Sequence, residues 1–165
     1  MNSLQDFQFS NFDEISQMVY RLAFALTKAK VDADDVYQEV FLSYLKKPPS
    51  FESMDHQKAW FIVVTKNACK KLWRSPLYRF KVDELAEQQV VHSETEDYSL
   101  LYEALKGLSL ADRTLIHLHY FEGYSLQEVS SILQINYATV RQKMSRARQK
   151  LKVIYERDEA LYEEL

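Results

Sequence analysis

The sequence predicts an all-α protein built as two small helical units, and three observations carry that prediction. Apolar residues recur at helical spacing along most of the chain. Only two Gly and three Pro stand among 165 residues, so little interrupts those runs. Between them, residues 76–98 open with Pro76 and continue as acids and polar residues of weak periodicity, which reads as a flexible acidic linker. The expected organisation is a first unit over 1–75, the linker over 76–98, and a second unit over 99–165.

Residues 1–11 read as a loose start. Phe12, Ile15, Val19, Leu22 and Leu26, with Met18 and Ala25 beside them, predict an amphipathic helix to about Ala29. Asp32 is placed to cap a second helix reaching about Lys46. In it Val36, Val40 and Tyr44 face inward, while Asp35, Glu39 and Leu42 lie along another face with Gln38 adjacent. Lys47-Pro48-Pro49-Ser50 ends that helix and begins an extended loop. Asp55 should cap a third helix, roughly His56 to Arg74, stopped by Ser75-Pro76. Val64, Ala68 and Leu72 repeat every four residues there and are expected to be buried, with Trp60 in the core. Lys66, Lys70 and Arg74 repeat on a second face, with Trp73 next to them and Asn67 near the edge. Aligned cations repel one another on an isolated helix. Beside an aromatic and an amide they suit a nucleic-acid strand, supplying cations for phosphate, a ring for stacking and an amide for a base edge.

The second unit begins with Leu100, Leu101, Ala104, Leu105 and Leu108. A helix over Ser109–Glu122 follows, with Leu115, Leu118, Tyr120 and Phe121 expected inward and Gly123 as its C-cap. Ser125 with Glu128 then forms a capping box ahead of Leu126, Val129, Ile132 and Leu133. Asn136 caps a last helix that buries Val140, Met144, Ala147 and Leu151. A short helix, a tight turn and a longer basic helix is the layout of a DNA-binding helix-turn-helix. A merely solvated helix would mix acids with its bases, yet residues 136–152 hold six Lys/Arg and no Asp/Glu in a chain of net charge −3. The bases at 60–81 form a similar block of six without an acid, whereas 83–98 carry six acids and no base. Two basic blocks in an acidic chain point to two contacts with a polyanion.

Other classes find little support. No apolar run approaches a membrane span, and the acidic N-terminus is unlike a secretory signal. One cysteine, Cys69, excludes an intramolecular disulfide and fits a reducing cytoplasm. There is no HExxH, Gly-rich phosphate loop or nucleophile signature, so neither an enzyme nor a cofactor is expected. His117 and His119 are two apart, and a helix points them to different sides; no metal site is expected.

With both basic blocks placed, the chain resembles an extracytoplasmic-function (ECF) sigma factor of the sigma-70 family. Asp34-Asp35-Val36-Tyr37-Gln38-Glu39-Val40-Phe41 is similar to the family's ED-V-x-QE-x-F segment, and Ala59-Trp60-Phe61 with Asn67 to its W-L-x-x-I-A-x-N segment. LSLADRTLIHLHYFEGYSLQEVSSILQINYATVRQKMSRARQKL resembles the second conserved region almost end to end. The second match is shared in part by LuxR-type regulators, so a free-standing regulator of that kind is the alternative.

The resemblance implies a cytoplasmic subunit that directs core RNA polymerase to promoters. Asp35, Gln38, Glu39 and Leu42 would dock on the β′ clamp helices, with the β flap a further contact. Asn67 and the loop Pro48–Asp55 would take an unstacked base of the −10 element. Lys66, Lys70 and Arg74 would hold neighbouring phosphates, with Trp73 beside them. Tyr137, Thr139, Arg141, Gln142, Ser145 and Arg146 would enter the major groove at the −35 element, where Arg141 suits guanine and Gln142 adenine. Arg148 and Lys152 would touch phosphate or solvent. An anti-sigma factor is a partner usual for the family. The family's common Gly in the turn is Gln134 here, so a left-handed backbone would cost roughly 1 kcal/mol. Its usual Leu-Pro is Ser109-Leu110, and Lys71 stands where an acid is frequent.

Overall fold

Two Asp/Glu at the start of the first apolar run, Asp13 and Glu14, sit in the first turn of α1, Phe12–Thr27, where the positive end of the helix dipole favours them. The computed structural model describes residues 11–27, 29–77 and 104–163, with side chains as far as 157. Every described element is helical. The expectations for residues 1–10, for most of the linker, and for Leu100 and Leu101 lie outside the described residues. The chain divides into two compact units, Met1–Cys69 and Lys70–Leu165.

In the first unit α1 buries Ile15, Met18, Val19, Leu22, Ala23 and Leu26, the stripe that the spacing predicts. It packs on α2, Lys30–Lys46, which buries Ala33, Val36 and Val40. α2 starts earlier than expected. Its N-cap is Ala29, in an extended conformation and with no side-chain hydrogen bond. Asp32 falls inside the first turn instead, where the dipole still favours it. α3, Met54–Arg74, likewise starts one residue before Asp55, because Ser53 takes the capping position: its Oγ accepts from the His56 amide at 3.0 Å.

The inward face of α3 is Gln57, Phe61, Ile62, Thr65, Ala68 and Cys69, not the expected row of Val64, Ala68 and Leu72. Val64 and Leu72 are only half-buried. The reason is aromatic. Phe61 meets Phe41 at 5.5 Å and Tyr44 at 5.3 Å between ring centroids, and this seam sets the roll of α3 against α2. The seam continues to Phe12 against Phe41 and to Tyr37 against Phe41. Tyr44 is therefore half-buried in the cluster, and burial pushes its phenol above the ordinary value. Trp60 is half-buried at the edge of the same seam, 6.0 Å from Tyr44.

In the second unit Ala104, Leu105 and Leu108 are buried. Ser109 caps α4, Leu110–Ile116, by accepting from the Asp112 amide. The helix does not run on as α. It widens into a π turn, His117–Phe121, with the Glu122 amide donating to the His117 carbonyl at 3.1 Å. The extra residue in that turn shifts the register, so Tyr120 and Phe121, expected inward, are exposed at 55% and 42%. Gly123 then reverses the chain at φ 77°. α5, Leu126–Leu133, opens on a complete capping box, Ser125 with Glu128. α6, Tyr137–Glu163, is capped by Asn136, whose Oδ1 accepts from the Ala138 amide at 2.9 Å. Val140, Met144 and Ala147 are fully buried, while Leu151 is half-buried.

Between α5 and α6 Gln134 adopts φ 54° and ψ 45°, the left-handed conformation anticipated for this turn. A Cβ in that region costs roughly 1 kcal/mol, and the side chain offsets part of this by donating from Nε2 to the Ser131 carbonyl at 2.7 Å. We expect Gln134→Gly to be about 1 kcal/mol more stable than Gln134→Ala, read as a higher denaturation midpoint, since Ala keeps the strain and loses the bond. Equal midpoints in chemical denaturation would show that the turn is not strained.

Candidate functional site

Three helix faces collect the residues singled out from the sequence. The first is on α2. At about 100° per residue, Val31, Asp35, Gln38, Glu39, Leu42 and Leu45 fall within an arc of roughly 120°. All six are exposed, and the apolar ones strongly so: Val31 65%, Leu42 54% and Leu45 71%. Val31 and Leu45 carried no role in the sequence reading, although their position on the same stripe as Leu42 was there to be found. A row of exposed aliphatics edged by carboxylates is a surface shaped for a protein partner.

The second face is on α3. Lys66, Asn67, Lys70, Trp73 and Arg74 occupy an arc of roughly 120° by the same geometry. Asn67, Lys70 and Arg74 are exposed, and Lys66 and Trp73 are half-buried. Trp73 has the guanidinium of Arg113 5.5 Å from its ring centroid, so one face of the indole is already occupied. The loop ahead of α3 rests on an aromatic floor. Phe51 stacks on Tyr44 at 6.5 Å and meets Trp60 at 5.9 Å and His56 at 5.6 Å. His56 Nδ1 also accepts from the Glu52 amide at 3.2 Å, which ties the loop to the helix it precedes.

The third face is on α6, where burial of Val140, Met144 and Ala147 turns the polar residues outward. Tyr137, Arg141, Gln142, Ser145, Arg146 and Arg148 are exposed and Thr139 is half-buried. Arg141 lies over the Tyr137 ring at 5.8 Å, and Arg148 over the Tyr120 ring at 5.6 Å. The basic block is less uniform in space than in sequence. Lys150 Nζ is 3.0 Å from the Asp112 carboxylate, and Lys152 is 3.8 Å from Glu156. Arg141, Lys143, Arg146 and Arg148 have no carboxylate in ion-pair range among the described residues.

His117 and His119 serve the fold. His117 Nε2 lies 3.1 Å from Glu122 Oε1, with both side chains buried, and its ring stacks on Phe121. His119 Nδ1 bonds the Tyr124 carbonyl at 2.7 Å. Among the described residues no cluster of His, Cys, Asp and Glu could hold a metal ion. No helix of the described residues is long and apolar enough to cross a membrane.

Two family models match the chain: Sigma-70 region 2 over residues 12–76 and Sigma-70, region 4 over residues 98–151. Among curated proteins, the ECF RNA polymerase sigma factor SigM of Bacillus subtilis (strain 168) is 32% identical over 160 residues, which is 88% of this chain and 95% of that protein. The ECF RNA polymerase sigma factor SigX of the same strain is 25% identical over 167 residues, 93% of this chain and 84% of that protein. Among solved structures, the fold is similar to that of the sigma factor RpoE in its co-crystal structure with the anti-sigma factor NepR from Bartonella quintana. The TM-score is 0.71 at 22% identity, over 92% of this chain and 98% of that one.

The α6 face is presented by α5 and the turn, so its order depends on the α5 cap. Ser125→Ala removes the acceptor for the Glu128 amide. It is expected to destabilise the second unit by about 1 kcal/mol, read as a lower midpoint in thermal or chemical unfolding. An unchanged midpoint would mean that α5 is held by packing alone.

Proposed function

The chain belongs to the ECF branch of the sigma-70 family, and on that footing we propose how its residues divide the family's work. It is an RNA polymerase sigma factor: it binds core polymerase and promoter DNA and initiates transcription. The proposed division is a core-docking and −10 unit over 1–75, a linker over 76–98 and a −35 unit over 99–165.

Asp35, Gln38, Glu39 and Leu42 dock on the β′ clamp helices, with Leu45 and Val31 extending the apolar row. The observation that carries this reading is the exposed aliphatic stripe of α2 beside two carboxylates. Such a stripe favours association by burial while the acids steer a basic partner into register. A free-standing LuxR-like regulator has no use for this face.

Asn67 and the loop Pro48–Asp55 take an unstacked −10 base, with Lys66, Lys70 and Arg74 on phosphates and Trp73 beside them. The aromatic floor of Tyr44, Phe51 and Trp60 supports the reading, because it holds the loop over a surface suited to stacking. Arg141, Gln142, Ser145 and Arg146 read the −35 major groove, with Tyr137 and Thr139 at its edge and Arg148 on the backbone. The β flap engages the second unit, and an anti-sigma factor regulates the protein. The chain supplies no catalytic group and no cofactor; synthesis is the polymerase's reaction, and the protein works in the cytoplasm on the nucleoid.

Two experiments test these assignments. Purified chain is mixed with bacterial core polymerase and separated by size exclusion, beside a variant with Asp35, Gln38 and Glu39 changed to Ala. The parent is expected to co-elute and the variant to elute free. A parent that runs as a dimer and ignores polymerase would move the weight to a free-standing regulator. Separately, Arg148→Gln should lower the salt slope of duplex DNA binding by about one, the loss of one phosphate contact. Lys150→Gln should leave it unchanged, because Lys150 is held by Asp112. Equal effects would show that α6 has no preferred face toward DNA.

A further inference from the structure

Tyr120 was expected in the core, and its exposure is the largest departure of the second unit from the pattern of the sequence. The π turn causes it, and such turns are frequent where a side chain must be re-aimed for function. The ring is not idle on the surface, since the guanidinium of Arg148 lies 5.6 Å from its centroid.

The position of Arg148 on α6 gives that contact its meaning. At about 100° per residue, Tyr137, Arg141, Ser145, Arg148 and Lys152 form one row beside the buried stripe, spanning about 22 Å of helix. Both arginines of the row are braced by tyrosines, Arg141 by Tyr137 at 5.8 Å and Arg148 by Tyr120 at 5.6 Å. On the opposite flank of the buried stripe, Lys150 is drawn to Asp112 at 3.0 Å. The element formed by α4 and the π turn therefore grips α6 on both sides. It neutralises one cation with a carboxylate and holds the other with a ring that leaves its charge available.

That difference is chemical. A guanidinium over an aromatic face keeps its full positive charge and its in-plane N–H donors, and loses only conformational freedom. An arginine paired to a carboxylate would have to give up that partner before reaching a phosphate. We propose that Tyr120 is a positioning residue for DNA binding: its ring holds the Arg148 guanidinium ready for a phosphate of the duplex that α6 faces. The inference rests on the reading of α6 as the −35 helix.

The test uses the full chain and a fluorescent duplex of about 30 base pairs of mixed sequence, titrated at several salt concentrations between about 50 and 200 mM. Phosphate contacts do not depend on sequence, so no promoter need be known. Arg148→Gln is expected to lower the salt slope by about one. Tyr120→Leu should weaken binding by about two- to fivefold and move the slope toward that of Arg148→Gln. Tyr120→Phe should restore the parent's behaviour, and Tyr120→Leu/Arg148→Gln should bind no more weakly than Arg148→Gln alone. Tyr120→Gln, polar at an exposed site, repeats the loss without adding surface apolarity, and circular dichroism checks that each variant is folded. The inference fails if Tyr120→Leu keeps the parent's slope, or if its effect multiplies with that of Arg148→Gln. A parent chain that binds no duplex at low salt would instead overturn the DNA-facing assignment of α6 itself.

Discussion

The second unit depends on one constraint, the burial of a single stripe on α6. Val140, Met144 and Ala147 are fully buried against the helices before them. Removing a side chain such as Val or Met from water stabilises by about 1.5–3 kcal/mol. Rolling α6 by one residue's rotation would surrender much of that, while a single surface charge contact is worth about 1 kcal/mol or less. The apolar stripe therefore decides which cations face outward, and the charged residues accept the orientation they are given. Asp112 and Tyr120 refine that roll from the two flanks without setting it.

The first unit solves the same problem with rings. Phe41, Tyr44, Trp60 and Phe61 lock α2 to α3, and Phe12 against Phe41 and Tyr20 against Tyr37 carry the seam to α1. Ser16 and Tyr37 add a polar stitch, with their oxygens 2.6 Å apart. Because the seam absorbs the inner face of α2, its outer face is left with aliphatics that no described residue covers. One helix thus offers a rigid back and an apolar front, which suits an assembly surface that must not deform when its partner arrives.

The helix-turn-helix was legible almost residue by residue, because each signal is local. The Ser125–Glu128 box, the Asn136 cap and the strained Gln134 turn all lie within a few residues of the atoms they bond. The α3 stripe was less legible. Val64, Ala68 and Leu72 satisfy helical periodicity, but Phe61 and its neighbours bury more area and rotate the helix toward themselves. Ser53 displaced Asp55 as the α3 cap, since capping depends on where the preceding loop releases the backbone. The π turn had no signal in the sequence at all. Leu118 is buried within it, and the His117–Glu122 pair closes over it. The exposed α2 and α6 faces followed from composition; the ties between Lys150 and Asp112 and between Tyr120 and Arg148 join residues far apart in the chain, and only the fold brings them together.

Gly107, one of the two glycines, acts on the longest helix among the described residues. A Cβ at this position would stand 2.9 Å from the Cδ1 of Ile154, so the Gly107 backbone itself is the surface on which Ile154 of α6 rests. α6 spans 27 residues, about 40 Å as a rod, and Ile154 lies roughly 25 Å along it from Tyr137. In mechanical terms Gly107 is a bearing and α6 a beam. A tilt of a few degrees at the bearing moves the loaded end by about 2 Å, enough to break hydrogen bonds that hold only within 2.7–3.2 Å. The smallest side chain in the protein therefore sets the alignment tolerance of the helix at its opposite end.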